Sequence, residues 1–404
     1  MHILFLTDNY PPEVNAPATR TFEHCQEWIK KGHQITVITC APNFPHGKVY
    51  NGYKNKFYQS DIVNNVKVIR VWSYMASNSG FLKRVFDYFS FAFMSFFVGV
   101  FQKHDVIIAT SPQFFTTWSG WAISKVTRKP WIFELRDLWP ESIRTVGAMN
   151  SDRTIKFLEK IELALYRQSN KVIVVTDAFK KNLIARGIKQ NKIGVVTNGS
   201  NMELFYPRAA DALLLEDLGL EGKFIVGYIG THGLAHSLDF IVRSIKKISD
   251  PNIYFLFIGD GAVKNKIKNS SKELQLNNIL FLDSVSKDEV PRYLSIIDVS
   301  LAPLKKNDTF KNVIPSKMFE AAAMGKPTLL GVQGQAQQIL ERYGAGVCFE
   351  PENEKDFVAK LLLLSSDSFY KACQRGCVGL AADYDRKKLA NNMLDLVTQT
   401  VNRE

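Results

Sequence analysis

Short apolar runs alternate with longer amphipathic segments along most of the 404-residue chain. In the first half these runs predict seven strands, at 3–7, 34–39, 66–71, 106–109, 131–134, 171–176 and 192–196. Helical patterns such as 19–31 and 154–167 lie between them. Buried strands that alternate with helices are typical of a parallel sheet covered on both faces.

The same pattern restarts near residue 224. It predicts further strands at 224–230, 254–259, 279–282, 299–302, 328–330 and 346–349. We therefore expect an α/β chain of two doubly wound, Rossmann-like domains, 1–199 and 223–385, joined by a hinge at 200–222. The last helix, within 386–404, is expected to pack back on the first domain. In this architecture ligands bind at the carboxyl ends of the strands, so the site should lie in a cleft between the domains.

The net charge of +12 is unevenly distributed. Residues 1–200 carry 26 Lys and Arg against 14 Asp and Glu, whereas the remainder carries 25 of each. The first domain should therefore meet an anionic partner. No nucleic-acid-binding module is recognisable, so a membrane surface is favoured. Five scattered cysteines without a CxxC pair, and a start without a leader pattern, favour a reduced, cytoplasmic protein.

One segment departs from the pattern of a water-soluble helix. Residues 89–101 contain no charge and six phenylalanines. The segment is too short to span a bilayer, which requires about 20 apolar residues. An interfacial helix with Lys83 and Arg84 at its edge and Phe93, Phe96 and Phe97 in the membrane fits this composition. A fully buried helix of the first domain is the alternative.

Residues 313–327 carry the strongest chemical signal. Pro315 and Ser316 precede a predicted helix, and Lys317 and Glu320 share one face of its first turn. Free N–H groups together with a lysine predict an anion site, and a carboxylate one turn later could accept bonds from two hydroxyls. A diphosphate with a ribose fits this arrangement. A well-capped helix with a solvated Lys and Glu is the alternative.

A glycine-containing turn follows the first strand of the second domain. Gly230-Thr231-His232-Gly233 and His236 would let backbone approach a phosphate, with His232 or His236 bonding a phosphate oxygen or a sugar hydroxyl. The alternative is that both histidines are structural. Gly259-Asp260-Gly261 is interpreted as a tight turn.

In the first domain two segments are candidates for binding an acceptor. Arg136 and Asp137 follow the strand 131–134, and Glu134 and Glu141 are further candidate acids or orienting groups. Trp139-Pro140 could form a wall for a sugar ring. The small residues Asn15 and Ala16, before the first helix, would let backbone approach a diphosphate or an acceptor. A structural Arg–Asp pair is the alternative for 136 and 137.

Several common motifs are absent from the sequence. It contains no GxGxxG, no P-loop and no HExxH. The missing GxGxxG argues against a dinucleotide-dependent oxidoreductase. We expect no metal and no cofactor, so that cationic side chains and a helix end neutralise a diphosphate.

These residues, in this order, resemble the retaining glycosyltransferases of family 4, which have the GT-B fold. The resemblance covers nearly the whole chain and includes 8–13, the Gly230 turn, 259–261, 297–299 and 316–327. Within the family the chain is most similar to the WbuB-type L-fucosamine transferases of bacterial O-antigen lipopolysaccharide synthesis. The segments 9–20 and 134–142 carry that closer similarity.

The resemblance implies that Glu320 is the second glutamate of the family's E-x7-E motif and binds the ribose, while Lys317 holds the diphosphate. Asn312 occupies the position of the first glutamate. Thr231 and His236 replace the usual Arg and Lys after the Gly230 strand. We therefore expect a donor site formed by the residues already named in 230–236 together with 312, 316, 317 and 320. Lys317, Glu320, Arg136 and Asp137 are the expected catalytic residues.

The implied reaction is transfer of an amino sugar, with N-acetyl-L-fucosamine as first choice, from a UDP-sugar to a polyprenyl-diphosphate-linked sugar such as GlcNAc. The enzyme would work without nucleic acid, at the inner face of the cytoplasmic membrane. Two alternatives stay open: a UDP-sugar 2-epimerase of the same fold, and a non-catalytic membrane-bound assembly partner.

Overall fold

The structure is a computed structural model that describes residues 1–44, 47–75, 81–111, 113–138 and 152–402. The chain divides into two compact units. The first consists of Met1–Thr197 and Lys387–Glu404, and the second of Asn198–Arg386. The chain thus passes between the units at Thr197 and again at Arg386, near the start of the C-terminal helix.

Within its described residues, the first unit contains an eight-stranded sheet. Its strands are β1 (His2–Leu6), β2 (Gln34–Cys40), β3 (Tyr58–Val63), β4 (Val66–Val71), β5 (Val106–Thr110), β6 (Trp131–Leu135), β7 (Lys171–Val174) and β8 (Ile193–Val195). The spatial order is β3-β4-β2-β1-β5-β6-β7-β8, and only the β3–β4 pair is antiparallel. Its helices are α1 (Ala16–Lys30), α2 (Phe81–Val100), α3 (Phe114–Thr127), α4 (Asp152–Gln168) and α5 (Asp177–Ala185).

Strand β3 was not predicted. Its side chains alternate between exposed and half-buried, and it lies at the sheet edge, so it lacks the continuous apolar run of the other strands. Asn64 and Asn65, both with positive φ, form the two-residue turn that joins it to β4. This hairpin signal is present in the sequence.

The second unit contains a six-stranded, all-parallel sheet within the described part of the chain. Its strands are β9 (Phe224–Ile229), β10 (Ile253–Ile258), β11 (Ile279–Leu282), β12 (Val299–Pro303), β13 (Thr328–Gly331) and β14 (Gly346–Cys348), in the order β11-β10-β9-β12-β13-β14. The helices are α6 (Ala212–Leu218), α7 (Leu238–Ile245), α8 (Lys264–Glu273), α9 (Val290–Ile296), α10 (Lys317–Ala323), α11 (Gln335–Tyr343), α12 (Glu354–Leu364) and α13 (Asp367–Asp383). All six predicted strands of this domain are present.

Each sheet is covered on both faces, which confirms the predicted doubly wound α/β class. In the first unit, alternate residues of a strand enter different cores: Leu4 lies in one apolar cluster and Phe5 in another. In the second unit, Val226 and Ile225 divide in the same way. The alternation follows from the two-residue period of a strand.

The C-terminal helix α14 (Arg386–Val401) packs on the first unit from Lys387 onward. Leu389 and Met393 are buried in the same cluster as Trp28 of α1, and the Trp28 indole Nε1 donates to the Ala390 carbonyl oxygen at 2.8 Å. Residues 200–222, expected to be a hinge, belong instead to the second unit. Phe205 and Leu220 in this segment are 1% exposed, so burial fixes it to the second domain.

Candidate active site

The turn after β9 is held by direct backbone contact with the turn after β10. Gly259 has φ +145°, and a Cβ at this position would lie 1.9 Å from the Gly230 carbonyl oxygen. The His232 N–H donates to the Asp260 carbonyl at 2.8 Å, and the His232 carbonyl accepts from Val263 N–H at 3.0 Å. The Gly259-Asp260-Gly261 turn therefore supports the 230–236 turn, a role that the sequence analysis did not predict.

The Lys317 side chain extends from α10 to this turn. Its ammonium nitrogen, Nζ, lies 3.7 Å from the centroid of the Tyr228 ring, and a Cβ at Gly230 would lie 3.2 Å from it. Within the described residues, this buried Nζ has no hydrogen-bond partner. Burial lowers the pKa of Lys317 to about 7, against the opposing effect of Glu320. A buried lysine without a bonded anion is a candidate for binding one.

Two histidines lie on the same aromatic ring. The ring centroids of His232 and His236 are 5.6 and 6.0 Å from that of Tyr228. Burial, followed by the positive charges of Lys264 and Lys317, lowers the pKa of His232 to about 4, and burial followed by Lys317 lowers that of His236 to about 4. Both imidazoles are therefore neutral near pH 7. His232 is fully buried, and its two ring nitrogens have no hydrogen-bond partner in the described chain.

Thr231 contributes its backbone to this cluster. The Tyr228 hydroxyl donates to the Thr231 carbonyl oxygen at 2.6 Å, while the Thr231 side chain is exposed. The structure thus brings together Gly230, Thr231, His232 and His236 of the predicted donor site with Lys317, around a tyrosine that sequence reasoning did not select. Tyr228 sits inside a β-strand pattern and gave no separate signal.

Glu320 has a partner that sequence reasoning also missed. Its carboxylate oxygen Oε1 accepts a hydrogen bond from Lys287 Nζ, which lies in the connection between β11 and α9. The two residues are 33 positions apart, so no local spacing reports the pair. Glu320 is 9% exposed and is the more buried partner.

The expected cap of α10 is not observed. Ser316 precedes the helix with αR backbone angles, and its side chain makes no capping hydrogen bond. The helix has only seven residues, so we assign it no anion site of its own. Asn312 is half-buried at the end of the 3-10 turn Asp308–Asn312.

In the first unit, Asn15 acts as a helix cap. Its Oδ1 accepts from the Ala18 N–H at 2.9 Å, at the start of α1, where Ala16 is the first helical residue. Arg136 and Asp137 are half-buried just after β6, and the Arg136 N–H donates to Ser111 Oγ at 2.8 Å. Glu141 and Trp139-Pro140 lie outside the described residues.

Glu134, one of the candidate acids, is instead part of a buried ion pair. Its Oε1 accepts from Arg20 Nε at 3.0 Å, and the two side chains are 1% and 4% exposed. Arg20 also donates to the carbonyl oxygens of Val196 and Thr197. This network joins α1, β6 and the end of the first unit, which is a structural role.

Asp8 is an acid at the carboxyl end of β1 that the sequence analysis did not select. Burial, followed by the negative charges of Asp87 and Glu13, raises its pKa to about 8. Its Oδ2 accepts from Gln113 Nε2, which follows β5, at 3.1 Å. The carboxyl edge of the first sheet therefore carries an acid whose pKa is raised.

Helix α2 exposes a stripe of phenylalanine rings. Phe86, Phe89, Phe93 and Phe97 are 51%, 49%, 53% and 48% exposed, and Phe101 just beyond the helix is 84% exposed. Their spacing of three or four residues places them on one helix face. The expectation of a fully buried helix is therefore wrong.

Phe96, Lys83 and Arg84 are the other residues of the predicted membrane-binding face. Phe96 is half-buried and packs on the apolar core rather than in the exposed stripe. Lys83 is exposed, and the Arg84 side chain is outside the described part of the structure.

No helix in the described residues has both the length and the apolar composition needed to cross a bilayer. Among these residues, no group of three or more His, Cys, Asp and Glu could hold a metal ion.

Two family models match the chain, one in each unit. The model described as Glycosyltransferase Family 4 matches residues 18–204, and the model described as Glycosyl transferases group 1 matches residues 213–375. With two parallel-sheet Rossmann-like domains, the matches define a glycosyltransferase of the GT-B class. Both models describe glycosyltransferases, and their matched ranges together take in most of the chain.

Two curated relatives are named for the biosynthesis of colanic acid and of teichuronic acid. The colanic acid biosynthesis glycosyl transferase WcaI of Escherichia coli K12 is 25% identical over 372 residues, which cover 89% of this chain and 91% of WcaI. The teichuronic acid biosynthesis glycosyltransferase TuaH of Bacillus subtilis is 27% identical over 250 residues, which cover 60% of this chain and 61% of TuaH.

Solved structures share the fold. Sucrose-phosphate synthase from Thermosynechococcus elongatus superposes with a TM-score of 0.79 at 15% identity, over 100% of both chains. HepE of Anabaena, in complex with UDP-glucose, gives a TM-score of 0.74 at 15% identity, over 99% of this chain and 100% of its own.

Proposed function

We propose that the second unit binds the diphosphate and ribose of a nucleotide-sugar donor. The observation that carries this proposal is the Lys317 ammonium, buried without a hydrogen-bond partner within the described residues, beneath the glycine turn at the carboxyl end of β9. Glu320 supplies a carboxylate one turn further along α10. That HepE was solved with UDP-glucose supports UDP as the donor's nucleotide.

The proposed reaction is a retaining transfer of an amino sugar, with N-acetyl-L-fucosamine as first choice, to a polyprenyl-diphosphate-linked sugar such as GlcNAc. The bond from the sugar's C1 to the diphosphate oxygen breaks, and a bond from C1 to an acceptor oxygen forms on the same face. The departing phosphate takes the acceptor's proton. Catalysis then consists of positioning and of stabilising charge on the leaving diphosphate, with no metal and no cofactor.

On the donor side, Lys317 stabilises the charge that develops on the leaving group. The neutral imidazoles of His232 and His236 each offer one N–H to phosphate oxygens. Ser316 and Asn312 are proposed to bond the donor at its phosphate and sugar ends. Glu320 accepts hydrogen bonds from the ribose hydroxyls.

On the acceptor side, the first unit supplies the remaining groups. Asn15 and Ala16 present backbone near the acceptor, and Arg136 adds a positive charge. Asp137 and Glu141 are proposed to orient the acceptor hydroxyls. Asn15 and Ala16 follow β1, and Arg136 and Asp137 follow β6, at the sheet edge where ligands bind in this architecture.

The exposed phenylalanine stripe of α2 supports a peripheral position on the inner face of the cytoplasmic membrane. Five half-exposed or exposed rings form a larger apolar surface than a water-exposed helix needs, and Lys83 lies exposed on the same helix. The excess of basic residues in this unit would strengthen binding to anionic lipids. The enzyme and a membrane-bound polyprenyl acceptor would then both be confined to the membrane surface.

The test is a turnover assay with purified protein, a panel of UDP- and GDP-sugars, and a short-chain GlcNAc-diphospho-polyprenol. A disaccharide-lipid from one UDP-sugar, with the donor's anomeric configuration by NMR, is the expected result. The Lys317→Met variant should form this product roughly 100-fold more slowly or slower still. Donor isomerisation without lipid product would favour an epimerase. No turnover and no UDP binding would favour a non-catalytic partner.

A further inference from the structure

Lys287 has contacts on two sides of its ammonium group. One is the hydrogen bond to Glu320 Oε1, and the other is the ring of Phe205, whose centroid lies 4.7 Å from Nζ. The Phe205 ring is 1% exposed, and the Lys287 side chain is 31% exposed. The lysine is therefore seated between a fixed ring and a largely buried carboxylate, rather than free in solvent.

The pairing engages only one of the two carboxylate oxygens of Glu320 within the described residues. Oε1 is occupied by Lys287, whereas no hydrogen bond to Oε2 is observed among the described residues. A carboxylate held at one oxygen keeps one rotamer and presents the other oxygen in a fixed direction. This arrangement suits recognition of a ribose hydroxyl.

The pairing also changes what Lys317 can do. Lys317 and Glu320 are three residues apart on α10, a spacing at which lysine and glutamate commonly pair. Instead, Lys317 Nζ contacts the Tyr228 ring, and Glu320 bonds Lys287. With its carboxylate engaged elsewhere, Glu320 does not take the ammonium that the diphosphate needs.

We propose that Lys287 is a positioning residue of the donor pocket: it holds Glu320 toward the ribose and prevents Glu320 from pairing with Lys317, which keeps Lys317 available for the diphosphate. This inference rests on the proposed function. Lys287 acts through Glu320 and needs no direct contact with the donor. Loss of Lys287 should therefore weaken two contacts with the nucleotide, that of Glu320 with the ribose and that of Lys317 with the diphosphate.

The test compares the binding of uridine and of UDP by calorimetry. Lys287→Met keeps the aliphatic stem and removes the charge. We expect UDP to bind roughly 10- to 100-fold more weakly, the scale of a lost hydrogen bond to a charged group. Uridine should weaken by a smaller factor, because it has no diphosphate for Lys317 to hold. Lys287→Arg should restore most of the affinity.

A double-mutant cycle separates positioning from other roles. In a Glu320→Gln background, Lys287→Met should change UDP affinity less than about threefold, because the group through which Lys287 acts is gone. The control Lys371→Met removes an exposed lysine that pairs with Asp367 on α13 and should leave binding unchanged. Thermal unfolding of each variant checks the fold.

The outcomes are distinct. The inference would be overturned if Lys287→Met weakened UDP binding as much in the Glu320→Gln background as in the wild-type background. It would also be overturned if Lys287→Met bound UDP with wild-type affinity. Equal losses for uridine and UDP would overturn its claim about Lys317. If the wild-type protein binds neither uridine nor UDP, the proposed function itself fails.

Discussion

The Lys317 ammonium lies 3.7 Å from the centroid of the Tyr228 ring, and no hydrogen-bond acceptor among the described residues engages it. An aromatic face attracts a cation without using its N–H groups. The ammonium can therefore be held in a buried place while its three donors remain available. The pocket therefore contains an ammonium group whose hydrogen-bond donors are left for a ligand.

Replacing Lys317 with Met should reduce turnover at saturating donor by roughly 100-fold or more, the scale of losing one preorganised charge contact. The same substitution should raise thermal stability at pH 7, because it removes a buried amine without a bonded partner. Steady-state kinetics and scanning calorimetry measure the two effects. Wild-type turnover in the variant would remove Lys317 from the mechanism.

Donor binding should weaken as pH rises above about 7. The pKa of Lys317 is lowered to about 7 by burial, so its charged fraction falls above that pH, and a diphosphate binds the charged form. The dissociation constant should rise up to about tenfold per pH unit, until the pH exceeds the pKa of Lys317 in the complex. Calorimetry with a UDP-sugar between pH 6 and 9 tests this, because its diphosphate diester does not titrate there. A flat profile would contradict it.

The stability difference between Lys317→Met and the wild type should depend on pH with a defined sign. A lysine whose folded pKa lies below its unfolded pKa is deprotonated on folding between the two values, so stability rises with pH in that window. The window runs from about 7 to the ordinary lysine pKa of 10.5. The variant's advantage should therefore shrink as pH rises from 7 to 9. Urea unfolding of both proteins at three pH values measures it.

Glu320→Ala should mainly raise the donor KM, by roughly tenfold, because a ribose contact is made in both the ground state and the transition state. Glu320→Gln keeps one acceptor oxygen and should fall between the wild type and the alanine variant. Initial rates across donor concentrations separate KM from kcat. An unchanged KM in Glu320→Ala would end the ribose assignment.

Gly259→Ala should disrupt the donor turn. The added Cβ would lie 1.9 Å from the Gly230 carbonyl oxygen, so one of the two turns must move. Gly222→Ala is the matched control, since Gly222 also has positive φ, +69°, but nothing lies within 4 Å of its added Cβ. The control should cost only the backbone strain of about 1–2 kcal/mol. UDP binding should be lost in Gly259→Ala and kept in Gly222→Ala.

The exposed stripe of α2 should bind lipid. Phe93→Ser with Phe97→Ser should reduce binding to phosphatidylglycerol-containing vesicles by at least roughly tenfold per ring, on the scale of burying each phenylalanine. Its thermal stability should stay near that of the wild type, because both rings are about half exposed. Phe96→Ser is the control: it should lower stability and leave the stripe intact. Sedimentation with vesicles reads out binding, and equal binding by the double variant would refute the membrane role.

The α/β class and the strands of the second domain could be predicted from the sequence because buried parallel strands are continuous apolar runs. Ile253–Ile258 and Phe224–Ile229 carry that signal. Strand β3 was missed because an edge strand with one exposed face lacks it. The hinge at 200–222 was misplaced because its apolar residues, such as Phe205, pack in the second domain, and sequence alone does not show which core they enter.

For the site, sequence determined the residues near one another in the chain, and tertiary structure decided the rest. The Lys317–Glu320 spacing and the glycine turn at 230 are local, so helix and turn geometry reveal them. Three contacts join elements that are far apart in sequence: the Lys287–Glu320 pair, the Arg20–Glu134 pair and the contact of Lys317 with the Tyr228 ring. Such contacts depend on how strands are ordered in a sheet. That order is set by packing of the whole domain, and no local pattern encodes it.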